Sequence, residues 1–201
     1  MNHHSKERTL VIIKPDGVQR SLIGEIIKRY EQSGLKMVAI KMTLPTEEMV
    51  EKHYLVDPGF KMKAGSKAIK SYKDKGEKPP SDDPEKVGEN VLAVLKKYLT
   101  CSPVVAMVWQ GAHAVELVRK ATGSTEPRTS DVGTIRGDYV LDSYSMADTD
   151  GRAIRNLIHA SGNLDEAEKE IALWFDKKEI MNYKLVQEAI LYDVNLDGLL
   201  E

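Results

Sequence analysis

The sequence predicts one α/β sandwich, in which helices cover a four-stranded antiparallel sheet in the ferredoxin-like manner. Three observations support this fold class. Apolar runs that predict strands alternate with segments of helical periodicity, in the order β-α-β-α followed by β-α-β-α. No internal repeat or linker divides the chain. Apolar residues make up 41% of 201 positions, and this length suits one hydrophobic core. A doubly wound parallel sheet is the alternative, but residues 14–17 after the first strand lack its glycine-rich fingerprint.

The first part of the chain predicts two strands, each followed by a helix. Residues 9–13 form a short run rich in β-branched side chains, which is typical of a buried strand. Apolar side chains then recur at helical spacing over 22–30, and Gly34 closes that helix. Residues 35–44 alternate as a second strand, and Thr46 is the predicted N-cap of the helix that follows.

The middle of the chain is less regular. From 57 to 81 the apolar pattern fades into Lys, Gly, Ser and Pro, and no element is predicted there. Asp83 and Pro84 supply a cap and a first-turn proline for the next helix. Residues 104–109 are apolar throughout, which predicts a third strand in the centre of its sheet, and a further helix follows Gly111.

The last part of the chain predicts one strand and one helix after two loops. Residues 123–137 form a loop rich in Gly, Pro, Ser, Thr and Arg, and residues 142–151 form an irregular polar stretch. The apolar run at 156–161 is the predicted fourth strand. Asn163 begins a capping-box arrangement that opens a helix to Phe175.

Composition excludes several function classes. The formal net charge of −2 gives no overall attraction to nucleic acid or to an anionic membrane, so neither is an expected partner. No apolar run approaches the roughly 20 residues that span a bilayer, and the polar first residues do not resemble a signal peptide. The single cysteine, Cys101, cannot form an internal disulfide. Together these features predict a cytoplasmic protein.

The two ends of the chain carry weak metal-binding patterns. His3 and His4 are expected to belong to a flexible polar tail rather than to a metal site. Asp193, Asn195 and Asp197 begin like a calcium loop, but the chain ends before the position of the bidentate glutamate. We therefore expect a C-terminal turn there.

His159 is the most informative residue of the chain. It lies near the end of an apolar run, after Asn156 and before Ser161, and an imidazole in an apolar strand needs a partner or a task. Taken alone, the pattern favours a core histidine that bonds to a backbone carbonyl. Other residues have to decide whether the ring is a nucleophile.

Cationic side chains around the loop at 123–137 could bind phosphates. Lys14 directly follows the first strand and suits a phosphate or a hydroxyl, although a solvated lysine is the commoner case. Arg119 lies late in a helix that faces the loop, and Arg136 lies between glycines that permit close backbone approach to a ligand. With Thr125, these groups could form a triphosphate cradle, and separate surface arginines are the alternative.

Glu170 lies on the last regular helix beside an apolar stripe. A carboxylate in that position can reach inward to orient and charge-balance an imidazole, whereas a surface glutamate paired with Lys169 is the alternative. No Walker-type loop is present in the sequence, so any phosphate binding must rest on side chains.

Six segments that follow one another along the chain resemble the nucleoside diphosphate kinase family. Among them are Ile-Ile-Lys-Pro-Asp-Gly-Val, Gly-Thr-Ile-Arg-Gly-Asp and Asn-Leu-Ile-His-Ala-Ser, and the combination is far more specific than any single motif. The six segments cover residues 7–20, 23–26, 102–109, 133–138, 156–161 and 168–175.

The resemblance implies a set of site residues. His159 matches the family's phosphorylated histidine, and Tyr54 matches the tyrosine beside the catalytic ring. Lys14 and Asn156 match the pair that contacts the ribose hydroxyls, and Lys14 also lies near the transferred phosphoryl group. The phosphate ligands are matched by Arg119, Thr125 and Arg136, and the residues that hold and polarise the histidine are matched by Ser161 and Glu170.

The resemblance also implies a reaction. The γ-phosphoryl group of a nucleoside triphosphate passes to His159 and then to a nucleoside diphosphate, by ping-pong covalent catalysis with broad base specificity. Mg²⁺ bound through the nucleotide phosphates would spread the transition-state charge, without a metal site made by the protein. The family forms hexamers or tetramers, so a homo-oligomer is expected, with Pro127 in the loop that makes subunit contacts.

The chain departs from the family's pattern in its length. We expect one domain over residues 1–201, with insertions at about 57–100 and 142–152 and a C-terminal extension at about 184–201. Gly162 also stands where the family has a polar residue.

Both insertions flank the positions that supply the family's base-stacking side chains. Phe60 is the predicted aromatic platform, and either Ala153 or Ile154 is the opposing aliphatic side chain. The resemblance does not decide between the last two.

Two other functions are compatible with the sequence. A nucleotide-binding regulatory or scaffolding protein would result if the insertions blocked turnover, and a phosphohistidine-dependent kinase could act on proteins that dock on the insertions. The presence of all the expected catalytic side chains favours the enzyme over the scaffold.

Overall fold

The computed structural model describes residues 6–192. The histidines at positions 3 and 4 and the pattern at 193–198 lie outside those residues, so the expectations about them stay predictions. Within residues 6–192, every helix is too short or too polar to cross a lipid bilayer.

A four-stranded sheet forms the centre of the fold. Strands β1 (Arg8–Ile13), β2 (Lys36–Thr43), β3 (Val104–Gln110) and β4 (Ile158–Ala160) lie in the order β2-β3-β1-β4, and each pairs with its neighbours in antiparallel register. This topology confirms the predicted ferredoxin-like fold class and excludes the parallel alternative. As predicted, β3 lies inside the sheet, where its side chains are buried from Val104 to Trp109.

Helices cover the sheet and build the site. In the described part of the chain they are α1 (Pro15–Gln19), α2 (Ile23–Gln32), α3 (Glu47–Tyr54), α4 (Phe60–Asp74), α5 (Pro84–Leu99), α6 (Ala114–Thr122), α7 (Ile135–Tyr139), α8 (Tyr144–Thr149), α9 (Leu164–Trp174) and α10 (Glu188–Leu191), with short 3₁₀ turns at Pro127–Thr129 and Lys177–Glu179.

Both faces of the sheet are buried, which explains why β1 is apolar throughout rather than alternating. Val11 and Ile13 belong to a cluster that includes buried side chains of α2 and α6. Leu10 and Ile12 belong to a second cluster, which includes Trp174 of α9. The core therefore lies on both sides of β1, and the sheet fixes where β1 and β4 end relative to the helices.

Polar caps begin three of the helices where the sequence predicts them. The side chains of Thr46, Asp83 and Asn163 accept hydrogen bonds from backbone N–H groups in the first turns of α3, α5 and α9. Such caps satisfy donors that the start of a helix leaves free.

Helix α4 is the largest element that the sequence does not predict. It packs closely against α5 at two glycines, and its many Lys, Gly and Ser residues are of the kind that predicts a loop. A Cβ atom on Gly65 would lie 1.8 Å from the carbonyl oxygen of Pro84, and one on Gly88 would lie 2.1 Å from that of Lys61. The two backbones are therefore close enough to exclude any side chain at these positions.

Three predicted boundaries also differ from the structure. Helix α7 begins inside the predicted loop at 123–137, and α8 lies inside the predicted irregular stretch at 142–151. The fourth strand is shorter than the apolar run that predicts it, because Leu157 has a φ of 63° and turns the chain just before Ile158. Apolar character alone cannot distinguish that turn from an extended residue.

Candidate functional site

An open cleft of about 1150 Å³ lies between the α4–α5 hairpin and the segment that contains the loop at 123–134 and α8. The end of β1 and strand β4 form its floor. Eight of the ten predicted site residues line it: Lys14, Tyr54, Phe60, Arg119, Thr125, Arg136, Asn156 and His159. Ser161 and Glu170 are buried behind the histidine.

His159 is held from behind by a carboxylate. Its Nε2 lies 3.0 and 3.1 Å from the two carboxylate oxygens of Glu170, and Ser161 donates its hydroxyl to the same carboxylate at 2.6 Å. Burial alone would raise the pKa of Glu170, but its electrostatic and hydrogen-bond interactions with His159, together with His53 and the hydroxyl of Ser161, lower it, so the carboxylate is ionised. An ionised carboxylate only accepts, so Nε2 carries the proton and Nδ1 keeps its lone pair.

His53 is a functional neighbour that the sequence reasoning missed. Its ring lies edge-on to that of His159, with ring centroids 4.4 Å apart, and its Nδ1 accepts the indole N–H of Trp174 at 3.3 Å. Burial and the nearby His159 lower the pKa of His53 to about 3, so this ring is neutral at physiological pH. The only sequence signal is its position one residue before Tyr54.

The two histidines and Glu170 also have the composition of a transition-metal site. Their possible ligand atoms lie within 4.8 Å of one another, which singles them out among the described residues. Nδ1 of His53, however, already accepts the hydrogen bond from Trp174. A neutral imidazole nitrogen has one lone pair, so we interpret the group as a hydrogen-bond network that orients His159.

Lys14 and Asn156 meet on the floor of the cleft. The ammonium group of Lys14 donates to Oδ1 of Asn156 at 2.8 Å, and the amide of Asn156 donates to the carbonyl of Thr125 at 2.9 Å. Burial and the charge of Arg136 lower the pKa of Lys14 to about 7, against an opposing effect of Asp16. The lysine therefore lies close to its titration point and gains a full charge when an anion binds nearby.

In the free protein, the guanidinium group of Arg136 mainly binds backbone carbonyls and is not wholly available to bind phosphate. Its guanidinium donates to four backbone carbonyls: those of Asn156 and Ile158 at 3.1 and 2.5 Å, and those of Gly123 and Ser124 at 3.0 Å each. It thus ties the loop at 123–134 to β4, and one N–H of its five donors is left for a ligand.

The glycines beside Arg136 serve the fold of its loop. A Cβ on Gly137 would lie 2.1 Å from the carbonyl oxygen of Asp131, so this glycine permits close approach of two backbone segments. From the sequence alone, we instead expect the glycines beside Arg136 to permit close approach of the backbone to a ligand. Arg119 and Thr125 are exposed on the cleft wall and so remain open to a ligand.

Apolar side chains face each other across the cleft away from His159. Phe60 packs on Tyr54 with ring centroids 5.1 Å apart, and Ala153 and Ile154, the two candidates for the opposing aliphatic side chain, both line the same cleft. Val91 and Leu95 of α5 also line the cleft. Sequence reasoning did not name these two, although their spacing of four residues on a predicted helix indicates a shared face.

The two predicted insertions touch each other at the cleft. Asp148 of α8 accepts hydrogen bonds from Lys75 at 2.7 Å and from Ser71 of α4 at 3.1 Å. Lys67 of α4 donates to the hydroxyl of Tyr144 at 2.7 Å. We call these three hydrogen bonds the α4–α8 contact, and the residues that form them line the cleft.

Gly162 leaves room for the side chain of a neighbouring acid. Its N–H donates to Oε2 of Glu166 at 3.0 Å, and a Cβ on Gly162 would lie 2.5 Å from that oxygen. Asn163 also donates its amide to Glu166 at 2.8 Å. In place of a polar side chain at 162, the chain thus uses a backbone donor to complete the start of α9.

Comparison with known proteins agrees with this geometry. The family model described as nucleoside diphosphate kinase matches residues 7–79 and 81–180. The chain is 45% identical over 179 residues to the nucleoside diphosphate kinase of Pyrobaculum aerophilum, an alignment that covers 87% of this chain and 98% of that protein. It is 39% identical to the Borreliella burgdorferi enzyme, with coverage of 92% and 97%.

Solved structures lead to the same family. The crystal structure of the P. aerophilum NDP kinase has a TM-score of 0.86 and 44% identity, and the match covers 88% of this chain and all of that one. The B. burgdorferi enzyme, solved as a transition-state mimic with vanadate and ADP, has a TM-score of 0.76 and 38% identity, with coverage of 92% and 96%. The chain therefore belongs to the nucleoside diphosphate kinase family and has that family's nucleotide phosphotransferase activity.

Proposed function

We propose that Nδ1 of His159 is the nucleophile that takes the γ-phosphoryl group of a nucleoside triphosphate. The observation that carries this proposal is the contact of Nε2 with the ionised Glu170, which leaves the lone pair of Nδ1 for the cleft. Attack forms a bond between Nδ1 and the γ-phosphorus, and the bond to the bridging oxygen breaks. The electron pair of that bond leaves with the nucleoside diphosphate, so atoms and charge balance.

Glu170 has a second task during this step. When Nδ1 is phosphorylated, the ring gains positive charge, because Nε2 still carries its proton. Glu170 lies 3.0 Å from that nitrogen and is 4% exposed, so its negative charge stabilises the developing imidazolium in a poorly solvated site. Transfer back to a second nucleoside diphosphate reverses the same bonds, which makes the reaction ping-pong.

The cationic groups of the cleft are proposed to bind the nucleotide's phosphates. Arg119 and Thr125 are exposed on the wall, Lys14 lies on the floor, and Arg136 has one free donor. Lys14 and Asn156 form one hydrogen-bonded pair that presents a donor and an amide to the ribose hydroxyls. Binding energy at the phosphates and the ribose is independent of the base.

The apolar part of the cleft supports broad base specificity. Phe60, Val91 and Leu95 on one side and Ala153 and Ile154 on the other would stack against any base without reading its hydrogen-bonding edge. The B. burgdorferi relative was solved with ADP and that of Halobacterium salinarum with CDP, a purine and a pyrimidine nucleotide. We propose that this chain likewise accepts both classes.

The proposed substrates also imply Mg²⁺. The donors around His159 are the cations Lys14, Arg119 and Arg136, which suit phosphate oxygens rather than a metal ion. This arrangement fits Mg²⁺ that is held by the phosphates and water, and the ion would neutralise part of the phosphate charge. The protein's own contribution is to orient the phosphates and the imidazole.

We propose that the whole chain acts as one such kinase domain with two insertions. We further propose that it forms a homo-oligomer, either a hexamer or a tetramer. Its proposed location is the cytoplasm, where nucleotides are plentiful. Sedimentation velocity measures the oligomeric state, and cell fractionation measures the location.

Radiolabelled ATP tests the proposed chemistry directly. The wild-type protein, incubated with [γ-³²P]ATP and Mg²⁺, should retain label that is acid-labile and alkali-stable, as phosphohistidine is, and should lose it when GDP or CDP is added. His159→Ala should take up no label, whereas Gly24→Ala, a change on an exposed helix surface, should behave as wild type. Label on His159→Ala, or label that GDP cannot remove, would contradict the proposal.

A further inference from the structure

Residues 156–158 form a tight γ-turn just before the strand that carries His159. The N–H of Ile158 donates to the carbonyl of Asn156 at 2.7 Å, and Leu157 between them has a φ of 63°. A γ-turn with positive φ is rare and strained, because the Cβ of an L-residue crowds the backbone there. Leu157 is fully buried, so packing requires a side chain that the backbone conformation disfavours.

This turn sets the relative placement of two site residues. On its near side, Asn156 reaches Lys14 and the carbonyl of Thr125. On its far side, Ile158 and His159 pair with Ile13 and Ile12 of β1. If the turn relaxed to an extended conformation, Asn156 and His159 could not both keep these contacts.

Two neighbours hold the strained residue through its backbone. The N–H of Lys14 donates to the carbonyl of Leu157 at 2.7 Å, and the N–H of Leu157 donates to Oδ2 of Asp16 at 3.1 Å. The other oxygen of Asp16 accepts the hydroxyl of Tyr98 at 2.5 Å. One carboxylate therefore joins the turn to the C-terminal end of α5, a helix of the cleft wall.

We propose that Asp16, held by Tyr98, is a positioning residue for phosphoryl transfer: it keeps Leu157 in the strained turn that aligns Asn156 with His159. The proposal rests on the phosphohistidine function of His159. Asp16 does not touch the reacting atoms, and it acts through the backbone of Leu157. Loss of its carboxylate should slow the chemical step more than it weakens nucleotide binding.

A change at Asp16 could also slow the reaction through Lys14 and not through the turn. The negative charge of Asp16 also acts on the ammonium group of Lys14, so Asp16→Ala changes both the turn and the charge of the lysine. Tyr98→Phe removes only a hydroxyl and leaves the charge of Asp16 intact. A defect that acts only through the charge of Lys14 should shrink as the pH falls, because the lysine gains its proton, whereas a defect of the turn should not depend on pH.

Single-turnover kinetics of phosphohistidine formation at saturating ATP tests the proposal, at pH 6 and pH 8. We expect Asp16→Ala, which removes the acceptor of the Leu157 N–H, to slow the step about tenfold at both pH values, and Tyr98→Phe to slow it about threefold. Circular dichroism melting should show that both variants are folded at the assay temperature.

Changes at Leu157 separate positioning from general damage. Leu157→Gly and Leu157→Ala both remove the buried side chain, but only glycine adopts positive φ without strain. In the Leu157→Ala protein, the further change Asp16→Ala should again slow the step about tenfold. In the Leu157→Gly protein, the same change should slow it no more than about twofold.

Three outcomes would overturn the proposal: wild-type rates in Asp16→Ala and Tyr98→Phe, a defect found only at pH 8, or an equal loss of rate from Asp16→Ala in the Leu157→Gly and Leu157→Ala proteins. A wild-type protein that forms no phosphohistidine would instead contradict the proposed function itself. The two failures are therefore distinguishable.

Discussion

The carboxylate of Glu170 lies 3.0 Å from Nε2 of His159 and accepts the hydroxyl of Ser161 at 2.6 Å. The carboxylate of Glu170 thus fixes the tautomer of the imidazole. Ser161, two residues after His159, in turn holds the carboxylate in place. Both partners of Glu170 come from β4 and the residue after it, so the orientation of the ring depends on how α9 packs against that strand.

Glu170→Gln should slow phosphorylation of His159. The amide cannot balance the charge of the phosphorylated ring, and a hydrogen bond to a charged group contributes about 1.5–3 kcal/mol, which corresponds to about ten- to a hundredfold in rate. Rapid-quench kinetics with labelled ATP measures the step. Ser161→Ala removes one hydrogen bond to the carboxylate and the acceptor of the Leu10 N–H, but it leaves the charge of Glu170 in place and should have a smaller effect on the rate. A fully active Glu170→Gln protein would exclude a charge-balancing role.

Lys14 should make activity depend on pH. Burial and the charge of Arg136 lower its pKa to about 7 in the free protein, so the lysine loses its charge as the pH rises through 7. Since kcat/KM reports ionisation of the free enzyme, it should decline above pH 7 as phosphate attraction weakens. Lys14→Arg keeps its charge at all these pH values and should lack the decline, whatever its absolute rate. A flat wild-type profile up to pH 9 would contradict the prediction.

His53 should make stability depend on pH in the acidic range. Its pKa is about 3 in the folded protein against an ordinary value of 6.5, so the unfolded chain binds more protons between these values. Stability should therefore fall as the pH decreases from 6.5 towards 3, with a contribution of up to about 1.4 kcal/mol per pH unit. Urea unfolding at several pH values should give a shallower slope for His53→Gln than for wild type.

The α4–α8 contact should slow the exchange of nucleotide. Asp148→Ala removes the partner of Ser71 and Lys75, and a half-buried ion pair near the surface contributes about 0.2–1 kcal/mol, so ADP should dissociate up to about fivefold faster. Stopped-flow displacement of a fluorescent nucleotide measures this rate. Glu89→Ala breaks an ion pair with Lys61 outside the cleft lining and serves as the matched control. Equal rates in both variants would exclude a gating role for the contact.

Gly88→Ala should destabilise the protein because the added Cβ would lie 2.1 Å from the carbonyl oxygen of Lys61. Separating α4 from α5 should cost about 1–3 kcal/mol, which lowers the Tm by several degrees in a chain of this size. Gly24→Ala on α2 is the matched control, since its Cβ meets nothing within 4 Å. That change should instead raise stability by about 0.5–1 kcal/mol. Differential scanning calorimetry compares the two.

Some elements of this protein were predictable because short-range patterns determine them. The β-branched run of β1 ends at Lys14, and the caps Thr46, Asp83 and Asn163 act within a single helical turn, so their sequence context is sufficient. The order of strands and helices then leaves few topologies, and the motif around His159 indicated which chemistry to expect.

The elements that escaped prediction depend on contacts between distant segments. Helix α4 packs closely against α5 at Gly65 and Gly88, a contact between distant segments, and its own sequence is rich in Lys, Gly and Ser, which predicts a loop. His53 became part of the site only because α3 packs beside α9 and β4, and that neighbourhood makes its ring neutral.

The sequence by itself determined the fold class and the family, since both depend on residue types in a fixed order, and the family resemblance then named eight of the residues that line the cleft. Tertiary structure alone decided what those side chains do in the free protein. It commits Arg136 to four carbonyls, brings the charge of Lys14 near its titration point and holds Leu157 in a strained turn. Hydrogen-bond partners, burial and backbone strain arise from segments far apart in the chain, so residue spacing does not encode them.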